Sequence, residues 1–112
     1  MAAVANLTID QGATFSSDVT VTDSAGDAFN LTNHTVSAKI AKGYSSANTR
    51  TVLTTNVATP TNGVITLSLT ADQTAALDAP ARYVYDVEIT SSDSTVTRVI
   101  EGIITVNPGV VG

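Results

Sequence analysis

Residues 63–106, GVITLSLTADQTAALDAPARYVYDVEITSSDSTVTRVIEGIITV, decide how this chain folds. Val64–Leu69 alternates poorly but is rich in Ile, Leu, Val and Thr, which suits a strand with one buried face. Thr70-Ala71-Asp72-Gln73 has the form of a capping box, a Thr at the N-cap with a Gln three residues on. A helix of one or two turns over Ala71–Leu77 is predicted, ended by Asp78, Ala79 and Pro80, because proline disfavours helix in the residue before it. Arg82–Thr90 then alternates cleanly: Tyr83, Tyr85, Val87 and Ile89 share one face, and Val84, Asp86, Glu88 and Thr90 the other. Ser91–Ser94 reads as a turn, and Thr95–Val106 as a returning antiparallel strand with a bulge or bend near Gly102.

Strand, helical corner and a strand opening with tyrosines together resemble the E–F corner of immunoglobulin-like sandwiches, where a tyrosine hydroxyl bonds back to the chain upstream. Tyr83 or Tyr85 is the candidate for that bond. The competing and preferred reading is that both rings are half-buried packing residues, since the corner rests on fold analogy.

Outward from this stretch the signals repeat. Ala5–Ile9 is a short first strand turned by Asp10-Gln11-Gly12, and Thr14–Thr22 follows with Phe15, Val19 and Val21 on one face beside Ser17. Asp23–Asp27 is a turn, with Asp and Gly where turns favour them. Phe29–Leu31 is briefly extended, and Thr35–Lys42 is a strand with Val36, Ala38 and Ile40 on one side. Gly43–Thr49 is a polar loop whose one bulky residue is Tyr44. Arg50–Val57 reads as an edge strand, and Asn62-Gly63 as a hairpin marker. About seven strands with turn signals every ten residues or so predict an all-β fold, an immunoglobulin-like antiparallel β-sandwich with one short helix at the E–F corner. A chain of 112 residues fits one domain, 1–112.

The totals narrow the functional classes. With five Phe and Tyr residues and no Trp, the core must be aliphatic. A net charge of −5, with Lys39, Lys42, Arg50, Arg82 and Arg98 scattered, argues against nucleic acid as a partner. The absence of cysteine excludes disulfides and thiolate metal sites. No apolar run approaches membrane-spanning length, and Met1–Ala5 lacks the basic and long apolar regions of a signal peptide, so neither a membrane partner nor export by that route is expected.

The order LTIDQGATFSSDVTVTDSAGDAFNLTNHTVSAKI, GVITLSLTADQTAAL, ARYVYDVEIT and VTRVIEGIITVNP resembles the immunoglobulin-like N-terminal domain of phage baseplate upper proteins and kindred small head and tail proteins. The resemblance covers nearly the whole chain, and its motifs are mostly turns and corners. It implies a non-enzymatic virion structural protein. In baseplate proteins a stalk and further modules follow this domain. Here the chain stops at Gly112, which favours a capsid decoration (cement) protein on the outer surface of the head. Alternatives are a baseplate, neck or tail-fibre adaptor, and a cation-dependent adhesin-like domain. The expected partners are the major capsid protein or other virion subunits, including further copies of the chain, with no cofactor.

The residues that invite chemistry have plainer readings. His34, the sole histidine, follows Asn33 in a turn with no flanking triad partner and reads as a loop or packing residue. Asp86 and Glu88 share a strand face. A solvated face, with a salt bridge to Arg98 on the next strand, is preferred over acid–base chemistry or a Ca²⁺ site. Asp23–Asp27 lacks the ligand pattern of a calcium loop, and the Asn-x-Thr triplets at Asn6, Asn30 and Asn33 are chance products of composition. Binding is the more credible physics. Arg50–Val57 carries no Lys or Pro to blunt an edge, and the apolar segments Ala2–Ala5 and Val110-Val111 are exposed unless they dock. Ala2, Ala3, Val4, Tyr44, Val110 and Val111 are therefore the expected partner-binding residues.

Overall fold

Short runs of Val, Ile and Thr with polar residues between them favour extended chain with one wet and one dry face. The computed structural model describes residues 3–23, 25–43, 45 and 50–109. Among these residues the strands are β1 (Ala3–Val4), β2 (Leu7–Asp10), β3 (Phe15–Thr20), β4 (Thr35–Ala41), β5 (Thr51–Asn56), β6 (Val64–Leu69), β7 (Ala81–Thr90) and β8 (Val96–Asn107). A 3₁₀ turn at Pro60–Asn62 precedes β6, and the helix α1 covers Ala71–Ala75. The protein is all-β apart from these two short turns of helix.

The strands form one curled sheet in the order β1-β8-β7-β4-β5-β6-β3, with β2 continuing β1 along β8. Both β1 and β2 run parallel to β8, so the sheet is mixed and the purely antiparallel expectation is corrected. The cause lies at the turn after β2. Gln11 N–H donates to Asn107 O, and the chain then crosses to β3, whose partner is β6. First and last strands are thereby left side by side and co-directional.

β5 is not a simple edge strand. Leu53, Val52 and Thr51 pair with Ala38, Lys39 and Ile40 of β4, whereas Thr54, Thr55 and Asn56 pair with β6. One strand thus serves two neighbours in succession, and the sheet folds over along it. The edges are β1 with β2 on one side and β3 on the other.

Alternation decides what is inside. Ile65, Leu67 and Leu69 of β6 are buried in strict alternation, cleaner than the sequence suggested. Tyr83, Tyr85, Val87 and Ile89 of β7 face them with Ile9, Phe15, Val19, Ile40, Leu53, Ile100, Ile104 and Val106 in a single cluster. Both tyrosines are buried, not half-buried.

Three local expectations shift. The helix is shorter than predicted, although both capping-box bonds form: Gln73 N–H donates to Thr70 Oγ1 at 3.2 Å and Thr70 N–H to Gln73 Oε1 at 2.8 Å. The bulge of β8 falls at Val99, since Val87 pairs with Ile100 and Glu88 with Arg98. Asn62-Gly63 closes the 3₁₀ turn, with Gly63 at φ 70°, and does not form a two-residue hairpin loop. Around the Asp23–Asp27 turn, Thr22 and Ala28 make one isolated bridge.

Candidate interaction surfaces

The N-terminal edge is held by a contact between three strands. Gly102 of β8 lies opposite Tyr85 of β7. A Cβ at Gly102 would sit 2.1 Å from Ala5 O and 3.1 Å from the Tyr85 ring. The missing side chain lets the β1–β2 segment lie against β8, where the Tyr85 hydroxyl donates to Ala5 O at 2.5 Å. Burial pushes the Tyr85 phenol up to about 12. Ala5 N–H donates to Glu101 O, and Asn6 Oδ1 accepts from Ile103 N–H at 3.1 Å.

Ala3 and Val4, two of the expected partner-binding residues, form β1 itself. Their backbones pair with Ile100 and Glu101 while their side chains are exposed, Val4 at 70%. Ala2, Tyr44, Val110 and Val111 lie outside the described residues. The last strand hands the chain on at Asn107, and Gly109 N–H reaches Gln11 Oε1 at 3.4 Å.

The corner at the same end is bound together by polar contacts. Thr74 is fully buried, accepts from Gly12 N–H at 3.0 Å, and directs its own hydroxyl at Ala13 O and Ala71 O. Gln11 Nε2 donates to Leu77 O, and Asp78 N–H donates to Tyr83 Oη at 2.8 Å. Tyr83 thus bonds back to the chain upstream of it in addition to its packing. Lys42 pairs with Asp78, and this carboxylate holds the ammonium above its usual range.

At the opposite end the sheet gapes. A cleft of about 820 Å³ is lined by Val21, Phe29, His34, Ile89 and Val99, with Asp23, Ser91, Asp93, Thr95 and Thr97 at its polar side. It gathers the one histidine, two carboxylates and a serine, which the sequence did not show to be neighbours. Their hydrogen bonds run locally, however. His34 Nδ1 faces Thr32 O at 3.0 Å, so that nitrogen carries the proton, and the ring stands edge-on to Phe29 at 5.5 Å. Asp93 accepts from the Ser91 hydroxyl and from Thr95 N–H, which lower its pKa, the serine bond foremost. Asp23 Oδ1 accepts from Ala25 and Asp27 N–H. A nucleophile–imidazole–carboxylate relay needs its members bonded to one another, and these are bonded to their own turns.

The outer face of β4, β7 and β8 carries a charge lattice. Lys39 lies opposite Asp86, and Asp86 opposite Glu101. Arg98 Nε is 3.2 Å from Asp86 and its Nη1 is 3.5 Å from Glu101. The expected salt bridge therefore forms to Asp86. Among the described residues no group of three or more His, Asp or Glu side chains is placed to hold a metal ion, and no helix is long and apolar enough to cross a membrane. No protein-family model matches the chain, and no curated protein is similar to it.

Proposed function

We propose that this chain is a non-enzymatic structural subunit of a phage particle, an immunoglobulin-like sandwich that decorates the outer surface of the head. Its partners are the major capsid protein or neighbouring virion subunits. Support for the sandwich comes from the two directions in which β5 pairs, the parallel β1–β2 edge on β8, and the Tyr83 back-bond at the corner. The motif order quoted above carries the phage reading.

The observation that favours binding over chemistry is where hydrogen-bonding capacity goes. The polar groups of the cleft and corner are used in holding turns, while β1 presents Val4 to solvent on an open strand edge. An open edge with an apolar side chain is a surface suited to a protein neighbour.

Copy number and position test the reading. Quantitative mass per particle and imaging of intact particles are expected to show hundreds of copies on the head. A handful of copies at a tail or neck replaces it with the adaptor reading, and absence from particles removes both.

A further inference from the structure

We propose that two copies of this chain pair through the free edge of β3, antiparallel about a two-fold axis, with Ser17 opposite Ser17 and Ser16 of each copy opposite Asp18 of the other. The pairing follows from the strand itself and not from where the chain resides, so it goes beyond the phage reading and can fail or stand without it.

The first observation is the open edge. Among the described residues β3 pairs with β6 alone. An open groove of about 230 Å³, lined by Leu7, Thr8, Asp10 and residues 13–17, separates it from β2. Single chains blunt such edges with lysine, proline or a bulge. Phe15–Thr20 reads FSSDVT, without Lys or Pro, and its register with β6 runs unbroken from Phe15–Leu69 to Thr20–Val64.

The second is the direction of the backbone groups. Val21 N–H donates to Gly63 O at 2.8 Å, one step beyond the Thr20–Val64 pair. Bonded and non-bonded pairs alternate along an antiparallel ladder. Counting back from Val21, residues Val19, Ser17 and Phe15 spend their N–H and C=O on β6, while Thr20, Asp18 and Ser16 turn theirs outward. These three residues are also exposed.

The third is the side chains, which choose both register and occupant. A pairing that keeps the buried faces continuous joins residues of the same face. Registers centred on Ser17 and on Asp18 use most of the strand. Centring on Asp18 sets two carboxylates directly opposite each other, which is destabilising. Centring on Ser17 sets Phe15 opposite Val19, an aromatic and β-branched pair on the buried face, and Ser16 opposite Asp18 on the outer face, a hydroxyl facing an acceptor. Ser16 and Asp18 are the residues whose amides and carbonyls point outward, so this register makes about four backbone hydrogen bonds. The strand is its own complement, and that names a second copy as the occupant. The contact uses the same edge on both copies and therefore stops at two.

The chain has no cysteine, so single introduced thiols report the register. In it the two Ser17 form a non-hydrogen-bonded pair with Cα atoms about 4.5 Å apart, within disulfide reach. After oxidation by diamide, Ser17→Cys is expected to link to itself, and Ser16→Cys to link to Asp18→Cys in a mixture more than either links alone. Ser16→Lys and Ser16→Asp change an exposed side chain that points away from the core. Sedimentation carried to about 1 mM is expected to show a weak dimer that grows no further. Ser16→Lys, set opposite Asp18, is expected to tighten it roughly two- to thirtyfold and Ser16→Asp to weaken it by a similar factor, because two cross-strand pairs change at once. Circular dichroism checks that every variant folds. Wild type remaining single throughout with no Ser17→Cys link overturns the proposal. So does self-linking strongest at Asp18→Cys, growth beyond two chains, or a dimer indifferent to both changes at Ser16. Copy number on particles bears on the phage reading alone.

Discussion

Thr74 shows how one hydroxyl positions three segments. Buried between the β2–β3 turn and α1, it answers Gly12 N–H and directs its proton at the Ala13 and Ala71 carbonyls. Thr74→Val keeps the shape and removes those bonds, and a buried group left unpaired costs about 1–3 kcal/mol. Chemical denaturation is expected to register a loss in that range with an unchanged m-value. Tyr85 gives the pH dependence. Its folded pKa of about 12 stands above the ordinary phenol value of 10.0 because burial disfavours the phenolate. Below pH 10 both folded and unfolded chains keep the proton. From pH 10 to about 12 the unfolded chain loses it first, so stability falls as pH rises through that window. Tyrosinate absorbance is expected to show a late-titrating phenol, and Tyr85→Phe to remove both it and its part of the alkaline decline.

At the scale of elements, β1 and β2 depend on Gly102. They are short, and β1 contributes no buried side chain. What keeps them on β8 is the parallel ladder and the approach of Ala5 to a position without a Cβ. Gly102→Ala is expected to cost about 1–3 kcal/mol, the usual range for overpacking. Amide exchange is expected to accelerate at Ala5 and Leu7 more than in β4 or β6. Equal acceleration throughout the sheet would mean that Gly102 supports the whole core and not this edge. The segment α1 to β7 behaves differently, because capping box, Gln11 and Tyr83 brace it from separate sides.

For the whole molecule, the prediction concerns cations. Arg98 pairs with Asp86 across β7 and β8 and with Glu101 along β8, and Asp23 and Asp93 are each engaged in their own turns. The thermal midpoint is therefore expected to stay the same in millimolar Ca²⁺ and in chelator, as measured by calorimetry. A rise with Ca²⁺, which follows from any ligand that binds only the folded state, would favour the adhesin-like alternative.

The residues alone determined most of the strands, the dry faces of β3, β4 and β7 and the capped corner, because those follow from a two-residue period and from short-range hydrogen bonds that neighbours in sequence can make. Tyr83's back-bond was in reach of that reasoning, since its partner Asp78 is local. Only the tertiary structure decided that β1 and β2 run parallel to β8, that β5 divides its pairing between β4 and β6, and that Val99 and not Gly102 bulges. It also decided that His34, Asp23, Ser91 and Asp93 share one cleft. These are pairings between residues far apart in the chain. They are chosen by which arrangement closes the core and satisfies the backbone at once, and no local pattern of residue types carries that choice.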